Sequence, residues 1–268
     1  MMTGFWRLFV GAATLAFCVT CGMNGQALAD GYGTVTGQFV LDGPIPPSKP
    51  LVSKGDTTVK DGAVCGKEGV ADESLVVDPV TKGIANVFVY MPKAPKDIFP
   101  GLKESKEKIV KFDQQGCHFI PHALILRTDQ TIAILSGDPV LHNTDVAAVR
   151  NSGQNQTISM DRVGSTQWQF PQVERMPIMV KCDIHTWMRA WWLVIDHPYA
   201  AISGKDGKFT IEKVPAGTQE FIAWQDANDG RWVFGKTRET RVIKVKVEPD
   251  KTTSIGVIKI PVAELEKK

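Results

Sequence analysis

The stretch Cys182-Asp-Ile-His185-Thr-Trp-Met188 places a thiol, an imidazole and a thioether within seven residues. An extended apolar run precedes this stretch and a second one, from Arg189 to Asp196, follows it, which predicts a short loop between two strands. Soft sulfur combined with imidazole is the ligand chemistry of copper, and two histidines, one cysteine and a distant methionine form the ligand set of electron-transfer copper sites. Three of these four donors stand here in order, so the pattern predicts a metal site that needs one more histidine.

A second motif supplies that histidine. The stretch Asp138-Pro-Val-Leu-His142-Asn143 follows two apolar runs, Ala123–Arg127 and Thr131–Leu135. Together with the later stretch, this order of strands and donors resembles the cupredoxin family, and the spacing of two residues between successive donors resembles amicyanin. The resemblance implies one mononuclear type 1 copper site with four ligands, His142, Cys182, His185 and Met188.

The residue pattern before the loop supports this assignment independently. Side chains alternate along a strand, so residues 178, 180 and 182 share one face, where Ile178 and Val180 would floor an apolar cavity beside the Cys182 sulfur. Zinc is the main competitor, but a thioether ligand argues against it. The loop offers no second cysteine for a binuclear centre, and five histidines are too few for the trinuclear cluster of a multicopper oxidase.

The resemblance also implies roles for residues beside the ligands. Asn143 is expected to tie the two ligand loops together and to hydrogen-bond near the thiolate. Trp187 is expected to be partly exposed near His185, where electrons enter or leave cupredoxins, and to form part of a partner-docking patch; simple loop packing is the alternative. For His118 and His122, which flank a strand entry at the ligand end, an accessory site and a supporting or surface role both stay open.

The first 29 residues predict a secretory signal peptide. Arg7 supplies the positive charge, residues 8–20 the apolar region, and Ala27-Leu28-Ala29 the small-residue cleavage site. The apolar run is short for a membrane span, and lipid modification of Cys21 is the alternative fate. We therefore expect a periplasmic or secreted protein with no membrane span after removal of the signal.

Signal removal leaves three cysteines, Cys65, Cys117 and Cys182. An odd cysteine in an exported protein suggests a free, reactive or metal-bound thiol. In an oxidising compartment the simplest pairing joins Cys65 to Cys117 as a disulfide and leaves Cys182 for a metal. The formal net charge of +2 gives no hint of a nucleic-acid partner, which would require a basic face.

Short alternating or apolar runs, separated by Gly, Pro, Asn and Asp, predict an all-β chain of sandwiches or barrels. The runs Gly33–Gly43 and Ile84–Met91 resemble the opening strands of carboxypeptidase-regulatory-like (transthyretin-like) β-sandwiches, and Asp206–Gly217 with the later runs resembles their closing strands. Neither half has enough strands for independent stability. The Gly-, Lys- and Asp-rich residues 50–78 show little periodicity and predict a long loop.

We therefore expect a Greek-key cupredoxin sandwich inserted in, or adjacent to, a second, transthyretin-like β-sandwich. The expected divisions are a signal peptide (1–29), the first part of the regulatory-like sandwich (33–95), the copper domain (109–197) and the second part of the regulatory-like sandwich (198–262). Ordinary tandem domains are the alternative arrangement.

Together these features predict an exported blue copper protein that transfers single electrons through Cu(I)/Cu(II), as a carrier rather than an enzyme. The expected partner is a redox protein, such as a c-type cytochrome or a dehydrogenase. Two alternatives stay open. One is a copper carrier, storage or sensor protein, and the other is a carbohydrate- or protein-binding β-sandwich module without redox activity.

Overall fold

The computed structural model describes residues 1–2, 31–158, 160, 166–227, 232–234 and 241–265. These residues form strands joined by loops, with only short helical turns, so the all-β prediction is confirmed. No helix within these ranges combines the length and apolar character that a membrane crossing needs. Apart from its first two residues, the predicted signal peptide lies outside the described residues, and so does Cys21.

In chain order the strands are β1 Tyr32–Asp42, β2 Phe88–Tyr90, β3 Ile109–Gln115, β4 His118–Ile120, β5 Ala123–Arg127, β6 Thr131–Ile134, β7 His142–Val146, β8 Gln154–Ile158, β9 Thr166–Gln169, β10 Ile178–Lys181, β11 Arg189–Ile195, β12 Ala200–Ile202, β13 Lys208–Pro215, β14 Gly217–Gln225, β15 Trp232–Val233, β16 Ile243–Val247 and β17 Thr252–Pro261. Short α-helices include α1 Gly62–Cys65 and α2 Val262–Leu265, and a 3-10 turn spans Pro100–Leu102.

Two sheets from the middle of the chain form one sandwich. Their strand orders are β5-β11-β10-β7-β8 and β4-β3-β6-β9. Apolar side chains of both sheets, among them Phe112, Ile134, Val180 and Trp192, pack into a shared core. Strands β7 and β10 are antiparallel, with Val146 opposite Val180. The start of β7 therefore lies beside the end of β10, and this edge of the sandwich receives both predicted ligand motifs.

The remaining strands come from both ends of the chain. Strand β1 pairs antiparallel with β13 and parallel with β17, while β2 lies between β12 and β14. A second core, which includes Phe39, Val89, Phe221 and Val245, lies among these strands. Early strands therefore pair with late ones, as an inserted domain requires. The domain boundaries and the transthyretin-like resemblance stay predictions.

Residues 51–78, which we name the covering segment, pack against the middle sandwich although they come before it in sequence. Val52, Cys65 and Val70 are buried in the core of that sandwich. The predicted disulfide is confirmed, because Cys65 and Cys117 are bonded with their Cα atoms 5.3 Å apart. The covering segment is therefore tethered to the turn between β3 and β4.

Candidate metal centre

Cys182 follows β10 on its buried face. Ile178, Val180 and Cys182 are each at most 4% exposed, whereas the intervening Met179 and Lys181 are partly exposed. The predicted alternation is therefore confirmed, and it turns the Cys182 side chain inward. Among the cysteines that the structure describes, Cys182 alone is outside a disulfide.

The loop after Cys182 folds back on itself through its own backbone. The Met188 amide donates to the His185 carbonyl at 2.9 Å, and the Cys182 amide donates to the Met188 carbonyl at 3.2 Å. The His185 amide points at the Cys182 sulfur, 3.4 Å away. This tight turn brings the backbone of Met188 beside that of Cys182, and the Met188 side chain is buried in the same core.

Three of the predicted ligands converge. One donor atom from each of His142, Cys182 and His185 lies within 4.8 Å of the other two. The Nδ1 atoms of the two histidines are 3.0 Å apart, and all three side chains are at most 1% exposed. Residues separated by forty positions thus form one buried group, because β7 and β10 are neighbours in the sheet.

Each histidine is oriented by a carboxylate on its far side. His142 Nε2 lies 2.9 Å from Asp138 Oδ2, and His185 Nε2 lies 3.0 Å from Asp61 Oδ2. A carboxylate accepts hydrogen bonds, so each Nε2 carries the hydrogen and each Nδ1 is left to face the centre. Two imidazole lone pairs 3.0 Å apart repel one another unless a proton or a metal ion lies between them.

The electrostatics of the group favour a thiolate. Burial raises the pKa of the Cys182 thiol, but contacts with His142, His185 and two backbone amides outweigh burial and lower this pKa to about 6. Burial lowers the pKa of His142, but contacts with Asp138 and the Cys182 sulfur outweigh burial and raise this pKa to about 9. Metal ligands must be deprotonated, so an ion entering the centre displaces the proton of His142 and, at low pH, that of Cys182 as well.

The disulfide lies between the two orienting carboxylates. Asp61 is the residue immediately before α1, and Cys65 ends that helix. Across the disulfide, the Cys117 amide donates to Asp138 Oδ2 at 2.8 Å and the Gly116 amide to Oδ1 at 2.6 Å. One covalent link therefore fixes both Asp61 and Asp138 relative to the histidines that they orient.

Asn143 ties the two ligand motifs together. Its Oδ1 accepts a 2.7 Å hydrogen bond from the Asp183 amide and lies 3.3 Å from the Cys182 sulfur, which donates to it only when Cys182 is protonated. Its Nδ2 donates to Asp183 Oδ2 at 2.9 Å and to Asn155 Oδ1 at 2.8 Å. The side chain of Asn143 thus spans from β7 to the Cys182 loop, the position that the resemblance implied.

Trp187 is partly exposed, with its ring centroid 5.2 Å from that of His185. The imidazole itself does not reach the surface: His185 is 0% exposed, and Asp61 occupies the space beyond its Nε2. The docking role of Trp187 stays a prediction, and the open histidine edge that the resemblance implies is replaced here by a carboxylate.

Sequence reasoning did not single out Asp61 and Asp138. Asp138 stands four residues before His142 in the same motif, so the local sequence could have predicted a carboxylate partner for that histidine. No sequence pattern indicated that Asp61 would contact His185, because the two residues lie 124 positions apart and Asp61 belongs to a segment without periodicity. Only the packing of the covering segment brings this pair together.

The donors fit copper. A buried thiolate and two imidazole nitrogens, with a buried thioether in the same core, are soft or borderline donors, which copper prefers over hard oxygen sets. Carboxylates orient both imidazoles from behind, an arrangement that recurs at protein metal sites.

No family model and no curated protein matches the chain. Solved structures with a cupredoxin-like β fold are similar to part of it. An oxidised amicyanin variant is 13% identical, with 40% of this chain and 97% of that chain covered and a TM-score of 0.28. A copper-containing nitrite reductase from Thermus scotoductus SA-01 is 17% identical, with 38% and 27% covered and a TM-score of 0.28.

A purple cupredoxin from Nitrosopumilus maritimus is 14% identical, with 40% of this chain and 96% of that chain covered and a TM-score of 0.25. This chain thus spans about a quarter of the nitrite reductase and nearly all of the two smaller proteins. TM-scores this low carry no functional argument, so the case for a metal rests on the chain's own residues.

Proposed function

We propose that this protein is a copper-binding electron carrier, with His142, Cys182, His185 and Met188 as the ligands of one mononuclear site. The observation that carries the proposal is the buried convergence of the two Nδ1 atoms and the Cys182 sulfur. When bound there, copper supplies a one-electron couple between Cu(I) and Cu(II).

The surrounding residues support electron transfer over catalysis. Asn143, Asp138 and Asp61 hold the donor side chains by hydrogen bonds that do not depend on a bound ion. Burial excludes water and leaves no open position for a substrate at the three convergent donors. Rigid, preorganised donors suit a carrier, because little has to move when an electron arrives.

Burial also argues against copper delivery as the main role. The covering segment closes the His185 side of the centre and is tethered by the disulfide, so release of an ion would require this segment to move. Carriage, storage or sensing is therefore the second candidate, and no contact among the described residues favours a carbohydrate- or protein-binding role without a metal.

We further propose that electrons pass through the Trp187 side of the loop to a redox protein such as a c-type cytochrome or a dehydrogenase. Trp187 supports this route because it packs on His185 and is partly exposed. The disulfide supports an oxidising compartment, the periplasm or the exterior.

The test is an absorption and electron-spin-resonance spectrum after addition of Cu(II) to the full chain. Thiolate ligation predicts an intense visible band that reduction bleaches and reoxidation restores. Cys182→Ser should abolish this band, whereas Thr186→Ser, an exposed change in the same loop, should leave it intact. A colourless complex with one bound copper ion would refute the electron carrier and favour the carriage alternative.

A further inference from the structure

The Cys65–Cys117 disulfide packs directly against the candidate metal centre. Its two sulfur atoms and a ring nitrogen of His185 lie within 4.8 Å of one another, and all three side chains are buried. Asp61, which immediately precedes helix α1, contacts the same ring, with its Oδ2 3.0 Å from Nε2. The disulfide and the segment that it tethers therefore help to enclose His185, which is 0% exposed.

Part of the covering segment is a loop that is closed by its own backbone. Val52 and Val70 pair at its base, where their amides donate to each other's carbonyls at 3.2 and 2.8 Å. Within the loop, the Gly55 amide donates to the Gly66 carbonyl at 2.6 Å. The side chains of Val52 and Val70 are buried in the sandwich core, so the base is anchored. Residues 53–69, which we name the hinged loop, can therefore move as one unit about this base.

Three kinds of contact hold the hinged loop on the sandwich. Val59 and Val64 are only partly buried against the core, so each contributes less than a fully buried side chain. The Asp61 side chain that contacts His185 is 30% exposed, so solvent weakens this interaction. The third contact is the disulfide, which is covalent and restricts the opened chain. The disulfide is therefore the strongest of these tethers.

A cavity of about 180 Å³ reaches the disulfide from the side of the ligand loop. Cys117 forms part of its wall, together with Val70 of the covering segment and Trp187 of the ligand loop. His118 and His122, to which the sequence assigned no single role, line the same cavity. A small dithiol that enters this cavity lies beside one sulfur of the bond.

We propose that the Cys65–Cys117 disulfide is a redox latch, and that its reduction by a dithiol releases the hinged loop and opens the metal centre. One thiolate of the dithiol attacks a sulfur of the bond and forms a mixed disulfide, and the second thiol then displaces the other cysteine. The dithiol loses two electrons and becomes a disulfide, while its two protons pass to Cys65 and Cys117.

Once the bond is broken, opening is a local event. The hinged loop gains conformational freedom, whereas its base and the two cores keep their buried apolar contacts. The redox state of the latch thus controls the access of ions and reagents to His142, Cys182 and His185. The proposal concerns the metal-free chain and does not depend on copper binding.

The test measures how fast diethyl pyrocarbonate modifies each histidine of the metal-free full chain, by mass spectrometry of its peptides. Reduction with dithiothreitol, which is then removed without air, should raise the rate at His185 at least about ten-fold, because reaction requires local opening. Reoxidation should restore protection. The internal control is His197, which is 1% exposed, with its Nε2 3.1 Å from the Met91 carbonyl oxygen. Its rate should not change.

Cys65→Ala/Cys117→Ala should show the high rate at His185 without any reductant. Lys67→Gln, an exposed change in the hinged loop that keeps the disulfide, should retain the protection of the oxidised protein. If the double variant does not fold, the reduced wild-type chain decides the matter.

Three outcomes would overturn the proposal. The first is a disulfide that dithiothreitol does not reduce, and the second is reduction without a faster reaction at His185. The third is an equal rise at His197, which would mean that reduction unfolds the whole protein rather than the hinged loop.

Discussion

The Nε2 atom of His185 lies 3.0 Å from the Oδ2 atom of Asp61, across 124 residues of sequence. This contact connects the covering segment to the loop that holds the candidate ligands. It orients the His185 imidazole, so that Nδ1 faces His142 and Cys182, and it closes the outer edge of that imidazole to solvent.

Asp61→Ala should therefore weaken copper binding about 10–100-fold, the usual cost of removing a carboxylate behind a histidine ligand. Asp61→Asn should lose less, because its amide oxygen still accepts the Nε2 hydrogen. Competition against a chelator of known copper affinity measures both effects. The control is Lys67→Gln, a charge change at an exposed residue of the same segment. Equal affinity for Asp61→Ala and wild type would show that the contact does not orient the ligand.

Asn143→Ala should lower the free energy of unfolding of the metal-free protein by about 1–3 kcal/mol, because it leaves the partly buried Asp183 amide in the Cys182 loop without its partner. Asn155→Ala, at an exposed position, removes side-chain bonds to Asn143 and Asp183 but leaves no backbone amide without its partner, so it should cost less. Urea unfolding of the two variants tests this order. A reversed order would mean that Asn143 does not brace the loop.

Replacing both Cys65 and Cys117 by alanine should destabilise the protein by up to about 4 kcal/mol, since the disulfide closes a loop of 52 residues. Denaturant unfolding measures this loss. Copper binding should weaken as well, because the bond fixes Asp61 and Asp138 relative to the histidines. If the double variant binds copper as tightly as wild type, the carboxylates are held without the tether.

Met188→Leu should leave copper bound and raise the reduction potential. Leucine nearly conserves the volume of the buried side chain, so the fold should persist, while the thioether donor that tunes the potential is removed. Met179→Leu, a partly exposed position on the opposite face of β10 from Cys182, is the matched control and should leave the potential unchanged. Redox titration gives both values, and loss of copper from Met188→Leu would show that Met188 is more than a weak axial ligand.

Copper loading should weaken as pH falls. Because the pKa of His142 is about 9 and that of Cys182 about 6, binding displaces one proton between these pH values and a second proton below about pH 6. The logarithm of the apparent affinity should thus fall by about one for each pH unit in the first range and by about two in the second.

Chelator competition across a pH series measures this dependence. Asp138→Asn removes a carboxylate that raises the pKa of His142, so it should flatten the slope in the first range. An affinity independent of pH in the wild-type protein would contradict the thiolate–imidazole assignment.

Several features of the site follow from local pattern. Alternation along β10 directs Ile178, Val180 and Cys182 to one face, because side chains of a strand point to opposite sides in turn. The count of three cysteines after the predicted signal removal indicated the Cys65–Cys117 pairing and a free Cys182. The spacing of the two motifs identified His142 and His185, which the sheet then brings together.

Other features arise only from tertiary packing. Asp61 meets His185 and Asp226 meets His122 across 124 and 104 residues, and no periodicity links such distant positions. The covering segment has no regular pattern, so its place over the candidate centre depends on a disulfide and on a few buried apolar side chains.

The sequence by itself therefore determined the donors, because the chemistry of thiol, imidazole and thioether is carried by residue type and close spacing. Only the tertiary structure decided what surrounds those donors: the carboxylates that orient the histidines and the closed edge of His185. Those contacts join segments far apart in the chain, and their free energy comes from packing and charge that local sequence does not encode.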